Sequence, residues 1–404
     1  MNKLFESQWK ATKTALLEGR DITHNMDGSK STTKRQMMAT LLENTRREMK
    51  LMETATAGAT NAANVAALNK VILPVIRRVM PTVIANEIIG VQPMTGPVAQ
   101  IHTLRVRYAD TIPSTGGGVG AGAEALSPFN IAAYYSGNQN VTNPKAADTG
   151  FLEGVGGNRI SIQILKEVVQ AKTRKLSARW TFEASQDAQA QQGLDIEAEI
   201  MAALAQEITA EIDQEILTSL MALPGAPTST FKMDDVTGTP TFVGDVHAAL
   251  AILINRQANL IAARTRRGAG NWVVVSPTAL TILQSATTSA FARTTEGVFE
   301  SPTNTKFVGT LNNAMRVYVN QYAPDQTPVL VGYKGNETDA AAFYCPYVPL
   351  TSSGTLIDPN TFEPVVSFLT RYGYIELTNS ASSLGNAADY LGLVAIDASS
   401  LTFI

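Results

Sequence analysis

From Ile196 to Leu220 an isoleucine or leucine stands at every fourth position (Ile196, Ile200, Leu204, Ile208, Ile212, Ile216, Leu220), and the run stops at Pro224-Gly225. This spacing predicts a helix. Each fourth residue of an α-helix drifts by about 40°, so the apolar stripe winds round the axis instead of staying on one face. Such a helix, roughly 40 Å long at about 1.5 Å per residue, has to touch several partners along its length. It is expected to run through the body of the fold as a spine, packed on several sides. From Thr181 to Phe231 the chain has no Lys or Arg, while Glu183, Asp187, Asp195, Glu197, Glu199, Glu207, Glu211, Asp213 and Glu215 supply nine acids. Opposite charges four residues apart stabilise a helix. None is available here, so these carboxylates either face water or take partners from elsewhere. Just upstream, between Arg159 and Arg179, six basic residues (Arg159, Lys166, Lys172, Arg174, Lys175, Arg179) stand against one acid, Glu167.

The bulk numbers narrow the class. A chain of 404 residues that is 45% hydrophobic can bury one large core or two modest ones, and 17% charge is sparse for a free soluble enzyme. Sparse charge suits a surface that is mostly interface. The net charge of −3 draws the chain as a whole neither to nucleic acid nor to an anionic membrane. A single cysteine, Cys345, excludes an internal disulfide framework and fits assembly in a reducing cytosol. The N-terminal residues lack the apolar core of a signal peptide, and the sequence shows no run of about 20 apolar residues. The expectation is a chain without targeting or membrane segments.

Leu4, Phe5, Gln8, Trp9, Thr12 and Leu16, then Met37, Met38, Leu41, Leu42 and Met49, have helical spacing on either side of an Asp27-Gly28-Ser29 turn. Residues 54–69, rich in Ala, Thr, Gly and Asn, read as an extended arm. Gln100–Tyr108 and Arg159–Val169 alternate as strands, predicting a long two-stranded excursion with an elaborated Gly-rich tip. Helices are expected over Asp245–Ala263 and after the Ser276-Pro277 cap, and strands over Trp272–Val275, Met315–Val319, Val329–Tyr333, Ala341–Tyr344 and Val365–Leu369. Helices and strands alternating after a separate spine define an α+β class.

Catalytic and ligand motifs are missing. His24, His102 and His247 are far apart, and none has metal-ligand spacing. The Gly116–Gly122 run lacks the Lys-Ser/Thr ending of a phosphate loop, and Cys345 between Tyr344 and Pro346 has no nucleophile context. Arg256, Arg264, Arg266 and Arg267 cluster without the aromatic interleaving of a nucleic-acid footprint. No catalytic residue, metal or cofactor is expected.

Four segments carry a family resemblance. Arg77-Arg78 runs into Met80-Pro81 and a Gly90-Val91-Gln92-Pro93-Met94 corner, followed by Ile101–Tyr108. Arg316–Val319 with Val331–Gly335, Phe343–Leu350 and Thr370-Arg371-Tyr372-Gly373 follow in the same order across residues 71–373. In these motifs the chain resembles the T-even-type myovirus major capsid proteins. The resemblance implies a shell-building subunit of the Hong Kong 97 type fold and no catalysis. It divides the chain into an N-terminal helical segment and candidate propeptide (1–53), an arm leading to a peripheral domain (54–99) and an extended loop (100–178). A peripheral domain with the spine helix (179–235), an axial domain (236–344) and a return to the peripheral domain (345–404) complete it.

The expected function is self-assembly into the icosahedral or prolate head that encloses a phage genome. Homo-hexamers are expected, with pentamers an open alternative, and the partners implied are portal, scaffolding and decoration proteins and a head protease. DNA would be contained non-specifically, assembly would occur in the host cytoplasm, and the product would be the virion capsid. An encapsulin-type compartment shell and a lobed α+β enzyme are the alternatives. In a shell, the basic stem Lys172, Arg174 and Lys175 is expected to cross a neighbour's acidic spine at Glu207, Glu211 and Glu215. Arg371, beside Tyr372 and Gly373, is expected to be a buried structural residue with bidentate pairing and stacking. Head proteases of the family cut after Leu-x-Glu or Ile-x-Glu, and four of the five matches (ending at Glu6, Glu18, Glu43, Glu53 and Glu167) fall in the first 53 residues. Cleavage after Glu53 would remove ten basic residues against seven acids, leaving a more negative inner surface for DNA to slide past.

Overall fold

The structure is a computed structural model. It describes Leu17, residues 32–55 and most of 83–397; the longer stretches outside the description within that range are 126–134, 137–145, 233–242, 294–305 and 378–386. Its helices are α1 (Thr32–Ala55), α2 (Ala85–Ile88), α3 (Thr149–Leu152), α4 (Phe182–Gln192), α5 (Ile196–Ala222), α6 (Val243–Thr265) and α7 (Pro277–Ser285). The spine expected from the fourfold spacing is α5, and its stripe is buried from Met201 to Leu220.

A five-stranded sheet is built from β1 (Gly90–Val91), β13 (Ala342–Ser352), β15 (Pro364–Glu376) and β14 (Leu356–Ile357), with β4 (Lys172–Arg179) also paired to β15. One face of this sheet, carrying Tyr344, Leu350, Val366, Phe368 and Tyr372, shares a core with α1, α2 and α5. The other face, through Phe343 and Cys345, packs on Met94, Val169 and Leu377. Pro346 and Pro349 lie within β13 because the ladder to β15 shifts register there, between Pro346 and Val348 and again before Thr351. Proline withholds an N–H from a ladder and is accommodated where the ladder is already interrupted.

A seven-stranded sheet runs in the order β5 (Ser229–Phe231), β16 (Leu391–Ile396), β10 (Val329–Gly332), β6 (Trp272–Val275), β9 (Met315–Val319), β8 (Lys306–Leu311) and β7 (Phe291–Arg293). Alternation along its strands divides the side chains between two cores. Trp272, Val274, Tyr318, Leu330 and Leu393 join the core of the spine, while Val273, Val275, Val317, Val319, Val329 and Val331 face α6 and α7. Ser276 caps α7 as its sequence predicts, its hydroxyl accepting the Ala279 N–H at 3.2 Å ahead of Pro277. A small hairpin of β11 (Lys334–Asn336) and β12 (Asp339–Ala340) links this sheet to β13.

Between Gln92 and Lys172 the chain leaves the body as a ribbon of β2 (Val98–Tyr108) and β3 (Ile160–Gln170), antiparallel from Val98↔Gln170 to Tyr108↔Ile160. Its tip is closed by Tyr108, Ile112, Val119, Ala125 and Tyr135.

Several details differ from the sequence reading. The basic stretch Lys172–Arg179 is a strand paired along its length with β15, so it belongs to the sheet and not to the extended loop. The last strand, β16, returns to the seven-stranded sheet and not to the five-stranded one. Thr54 and Ala55, read as linker, still belong to α1. The helix expected over residues 4–16 and the arm over 56–69 lie outside the described residues.

Candidate subunit interface

One face of the ribbon carries a row of exposed apolar side chains. Side chains alternate along a strand, and ladder partners point the same way. Val98 (52% exposed), Ile160 (55%), Ile162 (67%), Ile164 (67%) and Val168 (50%) therefore share a face, and all five are open to solvent. Eleven-residue strands make this face about 35 Å long. A two-stranded ribbon is marginal on its own in water, and a row of exposed apolar side chains such as this, interrupted by the His102–Lys166 pair, marks an interaction surface. At the base the ribbon is tied down, with Ala171 N donating to Pro97 O at 2.9 Å and Val169 buried against the sheet. At the tip, Arg159 N and a guanidinium nitrogen donate to Asp110 at 2.7 and 3.1 Å, which holds the half-buried Asp110 carboxyl below its usual range.

The basic stem meets the acidic spine within one chain. Arg174 Nη1 reaches Glu211 at 2.6 Å, Nη2 reaches Glu215 at 2.7 Å, and Nε donates to the Tyr372 hydroxyl at 2.6 Å. Tyr372 in turn donates to Glu215. Burial works against the charges of this cluster, but bonds to Glu215 and Tyr372 keep Arg174 firmly protonated, and bonds from Tyr372 and Arg174 hold Glu215 below the usual carboxylate range. The pairing expected between neighbours is thus intramolecular for Arg174, Glu211 and Glu215. The reason is the ladder: Thr370 pairs with Arg174 and Tyr372 with Lys172, so these residues share the face that α5 covers. Lys172 adds its charge beside Glu215. Lys175 points to the opposite face, and both Lys175 and Glu207 are exposed.

This changes what substitution does. Arg174→Glu places a third carboxylate between two others and is expected to destabilise the unassembled subunit by roughly 2–3 kcal/mol. Lys175→Glu is expected to leave its urea midpoint unchanged. Equal midpoints for both variants would contradict the geometry.

Arg371 does not have the bidentate pairing expected of it. It is half-buried, lies 5.2 Å over the Tyr347 ring, and makes no ion pair among the described residues. Tyr372 takes the face toward the acidic spine, so its neighbour Arg371 is turned to the other face, where Tyr347 supplies stacking but no carboxylate. Gly373 sits where the ribbon crosses β15. A Cβ there would lie 2.3 Å from Val169 Cγ1 and 3.2 Å from Gln170 O.

The N-terminal helix is part of the core. Met37, Met38, Leu41 and Leu42 of α1 are at most 4% exposed. Asn44 Nδ2 donates to Met94 O at 2.7 Å and to Tyr347 O at 3.0 Å. Lys34 Nζ meets Glu87 at 2.5 Å, with both side chains almost wholly buried. Arg316 Nη1 lies 3.4 Å from the other oxygen of Glu87. Nearby, Lys334 Nζ donates to Asn86 O at 3.0 Å and pairs with Glu337 at 3.1 Å, and Glu337 accepts the Val91 N–H at 2.7 Å. Glu53 lies in the last turn of α1.

Sequence reasoning missed two features of this region. The Glu87 cluster joins residues 53 and 229 positions apart, which no local pattern reveals. Asp213 stands among the acids of the spine but is 1% exposed. Its Oδ1 accepts the Ile84 N–H at 2.9 Å, Oδ2 has no partner, and burial pushes its pKa up to about 8. The isoleucines flanking it at 212 and 216 were the available signal.

Among the described residues no catalytic constellation is assembled. Among the described residues no group of His, Cys, Asp and Glu could hold a metal ion. Cys345 is buried, and burial pushes its thiol up to about 12. His247 Nδ1 is 2.6 Å from Ser285 Oγ inside the α6–α7 packing. Val246–Thr265 of α6 is long and apolar enough to cross a membrane, but its Leu250, Ile254 and Ile261 are spent on the second core.

A spine and a tethered ribbon with an open apolar face suit a subunit that works by packing against others. Sequence comparison places that class. The family model for the major capsid protein Gp23 matches residues 65–396. The major capsid protein of Vibrio phage KVP40 is 31% identical over 413 residues, covering 78% of each chain, and that of Enterobacteria phage T4 is 30% identical over 408 residues, again 78% of each. Among solved structures, the capsid of Myoviridae phage XM1 matches 76% of this chain and 90% of its own, with a TM-score of 0.43 and 11% identity. The chain belongs to the Gp23 major capsid protein family. It is a structural protein of the phage virion, building the capsid shell in many copies, and is not an enzyme. The comparisons do not favour the encapsulin-type alternative.

Proposed function

We propose that the subunit takes the Hong Kong 97 type arrangement and closes hexamers, and pentamers at the vertices, by laying the open face of its ribbon on a neighbouring copy. The observation that carries this reading is the row of Val98, Ile160, Ile162, Ile164 and Val168, exposed on one face of a ribbon anchored at its base. In this reading the α1–α5 half with the five-stranded sheet is the peripheral domain and the seven-stranded sheet with α6 and α7 is the axial domain. Lys175 and Glu207, left open within the chain, are available for contacts between copies. Assembly proceeds in the host cytoplasm with portal, scaffolding and decoration proteins, and DNA is held by enclosure. Ile162→Lys combined with Ile164→Lys is expected to abolish shell formation, read by sedimentation and negative-stain microscopy, while leaving subunit thermal stability unchanged. Shells of normal yield from the double variant would remove the reading.

Maturation by a head protease after Glu53 belongs to the same proposal. It is supported by the Leu51-Met52-Glu53 match and by the position of Glu53 in the last turn of α1, where a helix frays most readily into the extended form a protease binds. Intact-mass measurement of protein from infectious virions should show a chain starting at Thr54. A full-length mass would exclude cleavage.

A further inference from the structure

Cutting after Glu53 would sever the chain but would not by itself remove α1. The helix fills a groove between β13, α2 and α5 with Met37, Met38, Leu41 and Leu42, all nearly inaccessible, and adds two backbone-directed bonds from Asn44 and the buried Lys34–Glu87 pair. None of these contacts depends on the peptide bond after Glu53. We propose that this groove is a binding site for the 32–53 segment in trans, so that cleavage and departure of the N-terminal helix are separate steps. The groove is also equipped for the helix to leave. Lys34 meets one oxygen of Glu87 and Arg316 lies near the other, while Lys334 pairs with Glu337 close by. Arg316, already 3.4 Å from Glu87 and on a strand of the seven-stranded sheet, is the group placed to take it over. A buried carboxylate left without a cation would be strongly unfavourable, so this exchange lets the body remain folded after the helix goes.

The proposal rests on the maturation reading only for its occurrence in the virus, and its test does not use the phage protease. A recognition sequence for a heterologous site-specific protease is placed between Glu53 and Thr54 of the full chain, and the purified protein is cut to completion. Native mass spectrometry is expected to find the 1–53 fragment still bound. A labelled synthetic 32–53 peptide is expected to exchange into the groove, and the same peptide with Leu41→Asp to compete at least tenfold more weakly. Placing that substitution in the peptide leaves folding of the body unaffected. Arg316→Met is expected to have little effect on the uncut chain but to reduce recovery of folded body once the fragment is displaced. A fragment that parts from the body on cutting, a Leu41→Asp peptide that competes as well as the natural one, or an Arg316→Met chain equally impaired before and after displacement would overturn the proposal. A full-length virion mass would remove only the maturation reading and leave the groove result standing.

Discussion

Asp213→Asn is expected to stabilise the unassembled subunit at about pH 7.5, by up to ~5 kcal/mol. The carboxyl of Asp213 is buried on the spine, accepts one N–H from Ile84, and leaves its second oxygen without a partner. Burial raises its pKa to about 8, whereas an Asp in the unfolded chain titrates near 3.9. Between these values the folded state keeps a proton that the unfolded state has lost. The contribution of Asp213 is therefore intact below about pH 4 and declines as pH rises toward 8, by up to ~1.4 kcal/mol per pH unit. Asparagine keeps the acceptor for Ile84 and carries no charge. The neighbouring Tyr344 hydroxyl is also buried without a partner and is pushed upward, by burial first and then by Tyr372 and Asp213. Urea unfolding across this pH range, with the variant subtracted from the natural chain, isolates the Asp213 contribution from those of other carboxylates. A variant less stable than the natural chain at pH 7.5 would show that the charged form is compensated.

The second large effect is at Gly373. Alanine there drives a methyl group to within 2.3 Å of Val169 Cγ1, and Val169 is itself β-branched and buried between ribbon and sheet. Overpacking of this kind costs about 1–3 kcal/mol, and here it would also lift the ribbon base off β15. Val169→Ala removes the obstructing atom. The double variant is expected to recover most of the loss of Gly373→Ala, a coupling that independent sites do not show. Additive losses in chemical denaturation would mean that the contact is relieved elsewhere.

The two cases show what the sequence makes legible. Elements governed by one local period were readable: the fourfold isoleucines gave α5, twofold alternation gave β2 and β3, and Ser276-Pro277 marked the start of α7. β4 was not, because Lys172, Arg174 and Lys175 interrupt the apolar alternation of Leu176, Ala178 and Trp180. β13 and β15 proved longer than read, since Pro346, Pro349 and Gly373 look like terminators until a register shift or a crossing strand accounts for them. In sequence, the opposite charges of the 159–179 and 181–215 blocks read as a contact between neighbouring copies, whereas Arg174 meets Glu211 and Glu215 of its own chain. Charge pattern alone does not reveal the strand pairing, across nearly two hundred residues, that brings them together. Asp213 and Glu87 were hidden for a related reason, as burial of a carboxylate is decided by distant elements.

The claim at the centre of this account is that the open isoleucine face of the ribbon is an interface between copies of the subunit. The most direct measurement is electron cryo-microscopy of shells assembled from this chain, at a resolution that traces side chains. The account predicts that Ile160, Ile162 and Ile164 of each copy lie against a neighbouring copy and lose their exposure, while Arg174 keeps Glu211 and Glu215 of its own chain. A shell in which these isoleucines face solvent, or pack only against their own subunit, would contradict it.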